Sequence, residues 1–160
     1  IVMYNLKYLQ IIYMDIENKK RLELTNCLCA SMRQSSRNIS QIYNKHLKAS
    51  GEKINANQVS ILVTISQVDD GSINKISNLL KMERTTLTRN LNVLKKAGWV
   101  KSNTGSDGRF TYINLTAKGN KVLSKVFPHW SKAQEQVKKI LGEELDSFQK
   151  NLKNINTSLI

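Results

Sequence analysis

The sequence predicts a mainly α fold in which three short helices and a β-hairpin lie between longer helices at the two ends. Two observations carry this reading. Apolar residues recur at helical spacing along most of the 160 residues. One stretch, "WVKSNTGSDGRFTYINL" (residues 99–115), instead shows period two beside a glycine-containing tip, the pattern of two strands joined by a turn.

The first helix is expected over residues 21–48, where Leu24, Leu28, Met32, Ile39, Tyr43 and Leu47 approximate one face before Gly51. Asn55 stands three residues before Gln58, the spacing of a capping box, so a second helix starts there with Val59, Leu62 and Val63 turned inward. "DDGS" reads as a turn, and Ser72 can cap a short third helix carrying Ile73, Ile76 and Leu79. A fourth begins near Arg84 and buries Leu87, Leu91 and Leu94, with Gly98 where a left-handed residue would end it.

After the hairpin, Thr116 can cap a long helix reaching about Leu141 through Leu123, Phe127, Trp130 and Val137. Pro128 falls inside it, where a lost hydrogen bond and a steric clash predict a kink. Gly142 marks a break. Leu145, Phe148, Leu152, Ile155 and Leu159 then alternate at three and four, the spacing of a coiled coil. The outer helices carry more apolar positions than the middle can cover, and a twofold partner would absorb the excess.

Charge narrows the choice of partner. Lys and Arg number 25 against 12 Asp and Glu, a formal net charge of +13. Such a surplus draws a protein toward polyanions, nucleic acid first and an acidic membrane face second, without specifying a fold. No segment is long enough to span a bilayer: the apolar "IVMYNLKYLQIIY" covers 13 residues and is interrupted by Asn5, Lys7 and Gln10. It reads as an extension ahead of Met14 or as an arm on a partner subunit. Cys27 and Cys29 point about 200° apart on a helix, so they do not pair with each other, and a reducing, cytoplasmic setting is expected. His46 and His129 stand isolated from both, which leaves no evident metal site, and no cofactor is expected. No phosphate loop, paired carboxylates or nucleophile with an evident base points to an enzyme.

The helix-turn-helix arrangement, in which a second helix enters the major groove while the first braces it, fits the two helices before the hairpin. Arg84, Thr85, Thr88, Arg89 and Asn92 occupy or border the face opposite the leucines, and Thr86 stands beside them in the sequence. Arginine pairs bidentately with guanine and asparagine with adenine, so Arg89 and Asn92 are the candidates for base edges. The threonines, Lys95 and Lys96 suit phosphates. The competing reading is a solvated face, against which the β-branched threonines argue, being poor helix formers. In the hairpin, Arg109 can reach a narrow minor groove and Asp107 can hold its guanidinium.

The order "TTLTRNLNVLKKAGWV", "DGR", "INLTAKG" resembles the MarR family of winged helix-turn-helix regulators. "NANQVSIL" and "PHWSKAQEQVKKILG" extend the resemblance over roughly residues 22–155. It implies a single domain spanning 1–160, with a winged helix-turn-helix lobe at 54–115, a recognition helix at 84–97 and a β-hairpin wing at 99–115. Residues 21–50 and 117–160 would form a helical dimerisation region. The implied partners are a second copy and a double-stranded DNA operator of approximate twofold symmetry, with no membrane. The implied function is a transcriptional regulator, in most members a repressor, released by a small molecule or an oxidant. A helical dimeric interaction protein without specific DNA binding is the alternative. Many relatives carry a basic residue where this chain has Thr111, which shifts wing contacts toward Arg109 and Lys101.

"CASMRQSSRNISQIY" is similar to the first helix of the peroxide-sensing branch, in which a cysteine at the position of Cys29 is oxidised and tyrosines bond to it. Tyr43 matches one tyrosine, whereas Arg33 stands where the other is expected. From the residues alone, the preferred reading of Cys29 is a small buried hydrophobe. A small aromatic effector walled by Trp130, Tyr43 and Phe127 is the other trigger considered.

Overall fold

The computed structural model describes residues 27–69, 71–104 and 111–158, together with Met14, Asp15 and Glu17. Arg109, Asp107, Leu24, Leu159, residues 1–13 and the hairpin tip lie outside the described residues. The chain divides into two compact units, Ile1–Ile39 and Ser40–Ile160.

In order, the elements are α1 (Leu28–Lys48), α2 (Ala56–Gln67), α3 (Ile73–Leu80), α4 (Arg84–Lys96), β1 (Val100–Thr104), β2 (Thr111–Leu115), α5 (Ala117–Leu141), a 3-10 turn (Gly142–Glu144) and α6 (Leu145–Ser158). The fold is mainly helical, with one antiparallel hairpin paired from Val100↔Leu115 to Thr104↔Thr111.

In the first unit, the described part of α1 leaves Leu28 exposed and Met32 and Ile39 half-buried. The second unit holds the hydrophobic core. Leu47 closes α1 against it, and Ser50 satisfies the Leu47 carbonyl at 2.7 Å. The capping box forms as the spacing predicts: the Gln58 amide donates to Asn55 Oδ1 at 2.9 Å, and the Asn55 amide donates to Gln58 Oε1 at 3.1 Å. Asn44 Oδ1 also accepts from the Ala56 amide at 2.7 Å, which ties the end of α1 to the start of α2.

The inward faces differ from the expected ones in three places. On α2, Ile61, Leu62 and Ile65 enter the core and Val63 is exposed, because one residue of helix turns a side chain by about 100°. On α3, Ile76 is buried and Leu80 packs at its edge, whereas Leu79 is 59% exposed. The face runs through positions 73, 76 and 80, and either leucine satisfied the pattern. On α5, the core takes Gly119, Val122, Val126 and Ala133. Leu123 and Trp130 lie alongside it, and Phe127 is 62% exposed. Small and β-branched residues allow close packing of this long helix, so the bulkier stripe moves to the flank.

α4 buries Leu87, Leu91 and Leu94 as predicted. Gly98 follows with φ +75°, a left-handed conformation that costs glycine little. α5 continues as one helix through Pro128, and Gly142 ends it. The first and last long helices touch through Tyr43, whose ring lies 5.9 Å from that of Trp130, and through His46 Nε2, 2.8 Å from Gln136 Oε1. No residue of α6 is buried within the chain. Among the described residues no helix is long and apolar enough to cross a membrane.

Candidate nucleic-acid interface

The geometry of α4 follows from its three leucines. They occupy one side at 100° per residue, which turns Thr85, Arg89, Asn92 and Lys96 to the opposite side, with Thr88 and Val93 flanking. All six are exposed. Arg84, Thr85, Thr88 and Arg89 line a shallow depression of about 430 Å³. Arg84, Arg89, Lys95, Lys96 and Lys101 form no ion pair among the described residues. Glu83 precedes the helix without capping it.

Individual side chains refine this picture. The Thr88 hydroxyl donates to the Arg84 carbonyl at 2.8 Å. In this rotamer its proton is engaged by the backbone, and its methyl is the group left to make outside contacts. Thr85 and Thr86 are exposed. Asn90, not singled out from the sequence, donates to the Thr86 carbonyl at 2.9 Å. Val93, also missed, is 52% exposed one turn beyond Arg89, and only its position on the flank of the outer face signals it. Lys95 is half-buried, and Lys101 extends from β1 opposite Asn114. The hairpin is held to the start of α3 by the Ile113 amide donating to the Gly71 carbonyl at 2.8 Å.

The proposed sensing residues sit in different surroundings. Cys29 and Arg33 belong to the first unit and are both exposed, so Cys29 is not a core filler within the chain; Cys27 is half-buried, and both thiols are free. Tyr43, in the second unit, donates its hydroxyl to Gln134 Oε1, and burial raises its pKa above the usual tyrosine value. No group of three or more His, Cys, Asp or Glu side chains able to hold a metal occurs among the described residues.

A groove of about 700 Å³ opens between α2 and α5. Val59, Val63, Leu123, Val126, Phe127 and Trp130 supply its apolar wall, and Ser60, Thr64 and Ser124 its hydroxyls. Phe127 and Trp130 line it. Tyr43 does not; it packs against Trp130 from outside the lining.

Comparison with known proteins agrees with this architecture. Residues 54–119 match a family described as a winged helix DNA-binding domain. The chain is 35% identical over 88 residues to the transcriptional repressor MprA of Escherichia coli K12. That match covers 53% of this chain and 49% of MprA, so the chain spans about half the length of the curated relatives it matches. The DNA complex of the M. tuberculosis transcriptional regulator MosR superposes with a TM-score of 0.74 at 32% identity, covering 83% of this chain and 96% of that one. Apo MarR from E. coli shares the fold, with a TM-score of 0.65 at 20% identity over 81% of this chain and 96% of its own. With its helix-turn-helix, its hairpin wing and these relatives, the chain belongs to the MarR family of winged helix-turn-helix transcriptional regulators.

Proposed function

We propose that the protein is a cytoplasmic, homodimeric regulator that binds double-stranded DNA in a sequence-specific way and represses transcription until an effector releases it. The observation that carries this is the outer face of α4: exposed arginine, threonine, asparagine and lysine on a helix whose orientation three buried leucines hold. Arg89 and Asn92 read base edges. Thr85, Thr86, Arg84, Lys95, Lys96 and Lys101 attract phosphates, Thr88 offers its methyl, and Arg109, supported by Asp107, reaches the minor groove. The repressor description of MprA and the DNA-bound state of MosR support the reading.

The chain is one functional domain in this account. Residues 54–115 form the DNA-binding lobe, and 21–50 with 117–160 the dimerisation region. The half-buried Leu145, Phe148 and Leu152 of α6 then find their cover in a second copy.

The effector occupies the groove between α2 and α5. Its lining carries aromatic and aliphatic side chains with three hydroxyls and no charged residue. An anion would lose hydration there without a compensating cation, so the groove suits a neutral aromatic molecule bearing a hydrogen-bonding group. Oxidation of Cys29 is the second trigger, favoured by the exposure of its thiol.

Fluorescence anisotropy tests the function with the duplex from upstream of the protein's own gene and a scrambled duplex of equal length, each titrated over a range of salt. Tight binding to the first, with a steep salt dependence, is expected. Equal, weak binding to both would favour a dimeric interaction protein without specific DNA binding.

A further inference from the structure

The C-terminal end of α4 closes in a Schellman motif: the Trp99 amide donates to the Leu94 carbonyl at 3.0 Å and the Gly98 amide to Lys95 at 2.9 Å. Beyond the motif, the carbonyls of Ala97, Gly98 and Trp99 are all taken by the start of α5. Lys118 Nζ donates to Ala97 O at 2.8 Å. Thr116 Oγ1 lies 2.7 Å from Gly98 O and 3.2 Å from Trp99 O, and the Thr116 amide donates to Trp99 O at 3.0 Å. The same Thr116 oxygen caps α5 by accepting from the Gly119 amide at 3.0 Å. Gly119 is required for this approach, since a Cβ there would stand 2.1 Å from the Trp99 carbonyl oxygen.

Lys118 sits in the first turn of α5, where the positive end of that helix disfavours a cation. Its ammonium instead meets the negative end of α4. We propose that Lys118 is a positioning residue for DNA reading: it holds the C-terminal end of α4 against α5 and thereby sets the angle at which the Arg89–Asn92 face is presented. This rests on the DNA-binding reading above. Lys118 acts here through the carbonyl of Ala97, the C-cap of α4, and makes no phosphate contact of its own.

The test compares wild type, K118M, which keeps the aliphatic stem, and K118R, which keeps a donor. Binding is measured across salt concentrations on a duplex selected by the wild type from a randomised library. Amide hydrogen exchange at Ala97–Trp99 is followed in the same proteins without DNA. K118M is expected to weaken binding about two- to fivefold, the scale of one helix-end charge contact, with an unchanged salt slope and a melting temperature lowered by no more than about 4 °C. Exchange at Ala97–Trp99 quickens, and K118R restores both. A salt slope reduced by about 1 would mark Lys118 as a phosphate ligand instead and overturn the proposal, as would unchanged affinity or unchanged exchange. A wild type that selects no duplex refutes the DNA-binding reading, and the exchange arm then still decides whether the clasp exists.

Discussion

Phe127 stacks on Trp130 with ring centroids 6.1 Å apart and planes inclined by 16°, and both rings border the groove between α2 and α5. In the proposed function this aromatic pair is one wall of the effector groove. A neutral alkylphenol such as 4-propylphenol is expected to quench Trp130 fluorescence on binding. Its carboxylate counterpart, 4-propylbenzoate, should bind at least about tenfold more weakly, since the groove offers no cation to a desolvated anion. Equal affinities would contradict the chemistry assigned to the groove. F127A should weaken the phenol and leave DNA affinity in its absence unchanged.

Arg89 and Arg109 are predicted to matter to DNA and little to folding. Alanine at either position should cost about 1–3 kcal/mol of operator binding, the range for arginine contacts to bases, with the melting temperature unchanged. Full affinity in both variants would remove the assignment.

Leu91, 1% exposed at the centre of the α4 stripe, carries the opposite expectation. L91A should lower folding stability by about 2–5 kcal/mol through lost burial and a residual cavity, read as a shift of the urea midpoint. A shift below about 0.5 kcal/mol would show that α4 is not anchored by its leucines.

These contrasts also show what was legible beforehand. The α4 stripe, the Asn55–Gln58 capping box and the Gly98 stop are local patterns, each complete within a few residues, and all three appear as read. The choice between Leu79 and Leu80, or between Val63 and Ile61, depends on which neighbour a helix meets, and a single periodic pattern admits both. On α5 the larger side chains drew attention, yet Val122, Val126 and Ala133 are the buried ones, because close helix packing favours small residues. The Lys118–Ala97 bond joins residues 21 apart across a hairpin, and no spacing rule points to it. The roles of Arg89, Asn92 and Arg109 rest on chemistry that a single unliganded chain does not exercise.

The Tyr43 hydroxyl gives a pH prediction. Burial raises its pKa in the folded chain, so the native state holds this proton at pH values where the unfolded chain has released it. The associated stability is fully present below about pH 10, the unperturbed tyrosine pKa, and is lost as pH rises through the folded value. Y43F lacks this ionisation, so its urea midpoint should fall less steeply above pH 10 than that of the wild type. Parallel alkaline limbs would contradict the burial argument.

Cys29 separates the two triggers. In C29S, release of DNA by 4-propylphenol should persist, and release by cumene hydroperoxide should be lost. Hydroperoxide release that survives in C29S would exclude this thiol as the oxidant's target.

The most direct test of the whole account is a hydroxyl-radical footprint of the selected duplex, run beside light scattering of the free protein. The account predicts a mass near twice the 18.2 kDa chain. It also predicts two protected half-sites centred one helical turn apart, about 34 Å, both lost in R89A. A monomer protecting one continuous patch, or protection that R89A leaves intact, would contradict it.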